Sequence, residues 1–371
     1  MRAGKNTDVL VVSGFFAFCS VMGAWSLVQS PDQGSLIREG RVPSPFPELR
    51  KAQDVRRFPT RFESYFQDRL AFRETLLNAH AAIRVWGLGV SSSPKVIVGT
   101  DGWLFLDPSS EAQGVNSAPA DLRARRWIEC LRQWRDWCAS RGIRFLFVLV
   151  PEKQTVYPDK LPASHRPPQP ALAGDHLRRL APPLLSESFL DLTPLLQEAR
   201  RNQDVYFRTD THWNDDGGWL GYEAIARRLG ITPISANSLL SEVVPNFEGD
   251  LARMLHLPRP ETEVTRTLHD PSAKARRRDE AVPLDPRWHS PRSIQPQVWG
   301  VDDRDLPRGV MFHDSFAQRV VIPRLAEHFH TLVYAPSVAP DPKVIERFAP
   351  QVVVQQLVER RINHHDPIAP P

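Results

Sequence analysis

Apolar positions along this chain follow three different rhythms. From Val9 to Val28 they form a continuous run of twenty residues without a charge, which at about 1.5 Å per residue matches a hydrocarbon layer of about 30 Å. Arg2 and Lys5 precede the run, so the positive-inside rule keeps the N-terminus cytoplasmic and sends everything after residue 30 outward. The run is longer than an ordinary signal-peptide core and no clean A-x-A site follows, which favours an uncleaved anchor over a cleaved leader. A polar, proline-punctuated linker, Pro31 to Pro47, comes next. Helical spacing then takes over from Arg61 to Val85, carried by Phe62, Tyr65, Phe66, Leu70, Leu76, Leu77 and Ile83. Lys95 to Leu106 gives two short β-rich runs around Asp101-Gly102, the dipeptide of a tight hairpin turn.

Beyond this point helices alternate with short apolar runs. A helix over Ala120 to Arg141 leads into Ile143 to Val150, bounded by Gly142 and Pro151, which reads as a central parallel strand. Phe189 to Leu192, Val310 to Phe312, Thr331 to Tyr334 and Val352 to Val354 are further strands. Helices are predicted near Pro194 to Arg201, Asp215 to Leu229, Ala317 to Phe329 and Pro342 to Phe348. This alternation predicts an α/β fold, a parallel sheet with helices on both faces. Residues 256–305 are polar, proline-rich and without clear period, and read as an insertion. The expected organisation is an anchor over 1–30, a linker over 31–54, one catalytic domain over 55–361 and a proline-containing tail over 362–371.

Composition narrows the class. Of 371 residues 41% are hydrophobic and 24% charged, enough for one sizeable core after the membrane segment is set aside. The 35 prolines cluster at Pro43 to Pro47, Pro158 to Pro170, Pro283 to Pro291 and Pro367 to Pro371, and read as rigid loops and a tail. A net charge of +4, with acids and bases interspersed, gives no reason to expect nucleic acid as a partner. The one dense basic run, Lys274 to Arg278, is followed at once by Asp279 and Glu280 and reads as a solvated loop. Cys130 and Cys138 lie on one predicted helix about 12 Å apart, too far to bridge, and Cys19 falls in the apolar run.

Two loops hold chemistry, each placed where a strand would feed a helix. In the first, Arg208 to Gly218, Asp210 and His212 are two residues apart and project to one side of an extended segment. A carboxylate there fixes the tautomer of the imidazole and stabilises its protonated form. Asn214 suits an N-cap, with Asp215 and Asp216 in the first helical turn. The second, Val310 to Phe316, is an apolar strand ending in His313-Asp314-Ser315. It would set the Ser315 hydroxyl at the C-terminal edge of the sheet, with its N–H at a helix start facing a developing oxyanion.

Six blocks stand out along roughly residues 55–355: Phe62-Glu63-x-Tyr65-Phe66-x-Asp68-Arg69-x-x-Phe72-Arg73, Asp101 to Phe105, Pro151 to Pro158, Thr209 to Trp213, Gly249-Asp250-Leu251 and Asp314-Ser315-Phe316. In content and order they resemble the alginate O-acetyltransferase AlgJ/AlgX family. The resemblance implies an SGNH-hydrolase-like domain with Ser315 as nucleophile, His212 as base and Asp210 as the orienting acid, the acid and base preceding the serine along the chain. His313 departs from the pattern, standing where an SGNH motif has glycine. Lys153, Tyr157, Arg208 and Trp213 are candidates for substrate contact or, equally, for structural packing or capping, and Trp213 or Trp219 for stacking on a sugar ring or for the core.

The implied reaction is transfer of an acetyl group through an acetyl-serine to a hydroxyl of an extracellular polysaccharide, with neither metal nor organic cofactor. The resemblance also implies a membrane-bound O-acyltransferase partner as acetyl donor, and an inner-membrane anchor that leaves the catalytic domain periplasmic. Two rivals remain open on sequence: an acetylesterase with the same triad, and a non-catalytic polysaccharide-binding module.

Overall fold

A computed structural model describes residues 2–28, 42–70, 72–108, 118–165, 172–236, 240–244, 248–257, 265–269, 273–284 and 295–371. Residues 31–41 of the expected linker and parts of the expected insertion, 258–264, 270–272 and 285–294, lie outside these. The chain forms two compact units, Met1–Ser93 with Ala252–Arg259, and Pro94–Leu251 with Pro260–Pro371.

The first unit is helical. α1 spans Arg2–Val28, α2 Ala52–Gln67 and α3 Arg73–Ala82, the last continued by a π-helical turn, Ile83–Gly87. Among the described residues no helix is long and apolar enough to cross a membrane. The periodicity predicts one helix over Arg61–Val85, whereas two form: α2 begins nine residues earlier, inside the expected linker, and the chain breaks at Phe72, whose φ of 56° is left-handed. Aromatic rings explain the early start, since Phe46, Phe58, Phe62 and Tyr65 pack edge-on or stacked with centroids 5.2–6.5 Å apart.

The second unit opens with the hairpin β1 (Val96–Val98) and β2 (Leu104–Leu106), turning through Asp101 and Gly102 at φ 54° and 80° as the dipeptide predicts. The remaining elements follow in order: α4 (Ala120–Ala139), β3 (Arg144–Val150), α5 (Lys153–Val156), α6 (Ala173–Leu185), β4 (Phe189–Asp191), α7 (Thr193–Ala199) and α8 (Asp215–Arg228). Next come β5 (Leu240–Val244), α9 (Asp250–Met254), whose residues from Ala252 onward belong to the first unit, β6 (Thr265–His269), β7 (Arg276–Arg278), β8 (Gln297–Gly300) and β9 (Arg308–His313). α10 (Val321–Ala326), β10 (Thr331–Pro336), α11 (Pro342–Phe348), β11 (Val352–Val358) and α12 (Glu359–His364) complete it. β5 and β6 pair with each other.

Seven strands form one sheet in the order β4-β3-β11-β9-β10-β8-β7, parallel from β4 to β10 and antiparallel beyond. Alternation along β3 shows how both faces are filled. Leu146, Val148 and Val150 join the core under α7, α8 and α10, while Phe145, Phe147 and Leu149 join the core under α4, α6, α11 and α12. α4 meets the second core through Ala124, Trp127, Ile128, Leu131, Trp134 and Cys138, a helical stripe. Cys130 and Cys138 are free and buried, and burial pushes both thiols up to about 12.

Three departures have local causes. The Lys274–Arg278 run, predicted as a solvated loop, contributes β7 at the sheet edge, where Arg278 reaches Thr331 Oγ1 at 3.1 Å and the Val301 carbonyl at 3.2 Å. Charged side chains on an edge strand discourage further pairing. β8 likewise turns the end of the expected insertion into sheet. The helix predicted over Ala317–Phe329 is confined to α10, because Pro323 lacks the N–H that an earlier start would require. Phe147, enclosed between Trp127 and Phe189 with centroids 6.3 and 5.9 Å away, tests the core: Phe147→Ala is expected to cost about 3 to 5 kcal/mol in chemical denaturation.

Candidate active site

Asp210 and His212 are carried by a small turn rather than by a strand of the sheet. Tyr206 and Trp213 form an antiparallel bridge, closed by Phe207 N–H to the His212 carbonyl at 3.3 Å and Asn214 N–H to the Val205 carbonyl at 3.1 Å. The turn runs straight into α8, which Asn214 caps by accepting from Gly217 N–H at 3.0 Å. Ser315 lies just past the end of β9, between β10 and β11. Asp314 holds that bend, accepting from Phe316 N–H at 3.1 Å and from Val358 N–H at 2.6 Å.

The two loops meet. Ser315 Oγ is 2.7 Å from His212 Nε2, and His212 Nδ1 is 2.6 Å from Asp210 Oδ1. An ionised carboxylate only accepts, so Nδ1 carries the proton and Nε2 presents its lone pair to the serine hydroxyl. Burial is the largest single influence on the Asp210 carboxyl and pushes its pKa up; the His212 ring bond, the ring's charge and the N–H groups of His212 and Asp250 act the other way and together bring it down to about 2. Trp213 locks the loops together. Its Nε1–H donates to the Phe316 carbonyl at 2.9 Å, and the Phe316 ring lies 4.7 Å from the His212 ring.

Glycines make room for that indole. A Cβ on Gly221 would come within 2.8 Å of the Trp213 ring, and one on Gly217 within 2.2 Å of the Val205 carbonyl. The spacing of Gly217, Gly218 and Gly221 on α8 thus forms a slot.

Three of the four proposed substrate contacts serve this framework instead. Lys153, 1% exposed, donates to the carbonyls of Phe207 (3.0 Å), Arg208 (3.0 Å) and Asp210 (2.6 Å). Its ammonium also lies 5.7 and 5.3 Å from the Trp103 and Phe105 ring centroids. Tyr157 Oη accepts from Val205 N–H at 2.8 Å, and the ring packs 4.1 Å from Trp103. Trp213 and Trp219 are both buried, so neither offers a face to a sugar. Enclosure, not chemistry, accounts for all these residues. Arg208 alone is exposed, paired with Asp204 at 3.0 Å. His313 is enclosed as well: its Nδ1–H donates to the Asp314 carbonyl at 2.7 Å, and burial lowers its pKa and keeps the ring neutral.

Asp250 has a part that sequence alone did not assign. Its N–H donates to Asp210 Oδ2 at 2.9 Å, and its carboxylate accepts from Thr211 N–H at 2.8 Å and Thr211 Oγ1 at 2.6 Å. Gly249 lets this approach happen, since a Cβ there would meet the Thr209 carbonyl at 2.1 Å. The signal was the Gly-Asp-Leu block. Asp210, His212 and Asp250 also present three metal-ligand atoms within 4.8 Å of one another. These same atoms bond each other or Thr211, and a cation placed among them would displace the Asp210–His212 bond.

A Ser-His-Asp series at the C-terminal edge of a mostly parallel sheet defines an SGNH-like α/β protein. The family described as "SGNH hydrolase-like domain, acetyltransferase AlgX" matches residues 96–283, half of the chain, and the chain belongs to that family. Asp210, His212 and Asp250 fall inside the match, and Ser315 beyond it. "Probable alginate O-acetylase AlgJ" of Pseudomonas aeruginosa is 29% identical over 230 residues, 56% of this chain and 54% of that protein. The protein of the same name from Pseudomonas fluorescens is 25% identical over 272 residues, 68% of this chain and 61% of that one. The chain therefore spans between half and two thirds of these relatives' length. The structure of Bacillus cereus PatB1 superposes with a TM-score of 0.53 at 14% identity, covering 73% of this chain and 97% of that one, a likeness of fold.

Two outcomes test the framework. Lys153→Met would leave three carbonyls without their cation and should cost on the order of 3 kcal/mol in denaturant unfolding. The depressed Asp210 carboxyl contributes stability that is fully present above its unfolded value, about 3.9, and lost as pH falls through the folded value of about 2. Unfolding free energy measured across that window should therefore fall less steeply in Asp210→Asn than in the parent.

Proposed function

We propose that this chain is a serine-dependent O-acetyltransferase that acetylates hydroxyls of an extracytoplasmic polysaccharide. The observation that carries the reading is the relay from Ser315 Oγ to His212 Nε2 at 2.7 Å and from His212 Nδ1 to Asp210 at 2.6 Å. His212 takes the Ser315 proton as Oγ attacks the acetyl carbonyl, and the imidazolium returns that proton to the donor's leaving group. A sugar hydroxyl then attacks the acetyl-serine, giving its proton to His212 and leaving its oxygen in the new ester; His212 reprotonates Ser315. Asp210 holds the ring and stabilises its charged form throughout. The Ser315 N–H opens a 3₁₀ turn and bonds no acceptor among the described residues, which suits it to the tetrahedral oxyanion.

The uncharged run Val9 to Val28, helical within α1, supports an inner-membrane anchor that leaves the domain on the periplasmic side. Anchoring would bring Ser315 within reach of an acetyl donor delivered by a membrane-bound O-acyltransferase. Names of the relatives favour alginate or a polymer like it as acceptor. No metal or organic cofactor enters these steps.

Incubating the protein with a chromogenic acetyl ester and candidate oligosaccharides, with mass spectrometry of the products, tests the reading. An acetylated oligosaccharide is expected, and Ser315→Ala should abolish it. Asp210→Asn should lower kcat about 10³- to 10⁴-fold. Acetate released without sugar ester would instead show a hydrolase. Undiminished function of Ser315→Ala in the cell would show a binding module.

A further inference from the structure

We infer that the exposed apolar stripe of α3 and the turn after it rests on an anionic lipid surface, a second membrane contact beside the anchor. Phe72, Leu76, Ile83 and Leu88 are 62, 46, 64 and 66% exposed, and Trp86 and Val90 extend the patch. Apolar residues scattered singly on a surface need no explanation, but six exposed within nineteen residues of chain are a concentration that does. Phe72 caps α3, Leu76 lies within it, and Ile83 and Trp86 fall in the π-helical turn that continues it. Phe72 adds a second observation. It is held at a left-handed φ of 56°, a costly conformation for a bulky residue, with its ring turned to solvent.

Charge identifies the occupant. Between residues 69 and 90 stand Arg69, Arg73 and Arg84 against the single acid Glu74, the combination of aromatic and aliphatic anchors with a basic border that suits an interfacial helix on anionic lipid. The inference rests on the reading that α1 is held in a bilayer. α1 ends at Val28, so the intervening chain keeps the stripe at high effective concentration near the membrane.

Full-length protein carrying Cys19→Ser and Ile83→Cys, labelled with a nitrobenzoxadiazole fluorophore, tests this. Cys130 and Cys138 will not compete, being buried with thiols pushed up to about 12. In vesicles of phosphatidylglycerol and phosphatidylcholine the emission should shift to the blue and lose about half its intensity to a shallow doxyl lipid. The loss should shrink in phosphatidylcholine alone or in high salt. A label at Leu88→Cys should behave alike. Flotation and carbonate extraction of the same sample report on α1. Protein that floats while its label keeps an aqueous, unquenched emission overturns the stripe contact and leaves the anchor standing. Protein that does not float overturns the anchor reading and this inference with it. A blue shift without lipid quenching, accompanied by cross-links between copies, shows that a second copy covers the stripe and overturns the lipid contact.

Discussion

The indole of Trp213 joins the two halves of the site. Its N–H reaches the Phe316 carbonyl one residue past Ser315, while its own backbone adjoins His212, so a single buried bond of 2.9 Å sets the distance between loops 103 residues apart. Everything nearby is shaped to let that ring in. α8 presents Gly217, Gly218 and Gly221 toward it, and any side chain on Gly221 would run into the indole. The glycines lower the helix propensity of α8, and the sequence carries that cost because the slot decides whether His212 meets Ser315.

Around this joint the blocks that resemble the family fall into one scheme of support. Pro151 to Tyr157 supplies Lys153 and Tyr157, which hold the Val205–Asn214 turn by its backbone, and the Pro151 carbonyl itself accepts from Tyr206 Oη at 2.5 Å. The β1–β2 hairpin adds Leu104 N–H to the Arg208 carbonyl at 2.9 Å and the rings that face Lys153. Gly249-Asp250 closes the ring from the other side of Asp210. The acid and base therefore sit on a turn too short to be rigid alone, made rigid by cations, hydroxyls and N–H groups that touch no reacting atom.

Much of this was legible in the residues. Buried strands such as Phe145 to Val150 announce themselves as apolar runs between turn residues, whereas Asp210 and His212 meet through a turn, with His212 N–H donating to Asp210 Oδ1 at 2.9 Å, rather than through the extended segment expected of the D-x-H spacing. What escaped was mostly a matter of contact at long range. Nothing local distinguishes a lysine that reaches a substrate from one that caps three carbonyls fifty-odd residues away, so the sequence left both roles open for Lys153. The edge strand β7 has little to bury and its neighbour β8 is only four residues long, so pairing of β7 with β8 and of β8 with β10, rather than composition, makes them strands. The prolines at 182 and 183 hid α6, which carries them in its last turn.

The relay is divided unevenly along the chain. Acid and base are neighbours in one turn and find each other through local bonds, whereas the serine arrives only when β9 has taken its place between β10 and β11. A partial loosening of the sheet would thus leave an intact but idle acid–base pair. On the proposed reading, turnover would fade before the bulk of the helical signal, and its rate would be the most sensitive gauge of whether the central strands are seated.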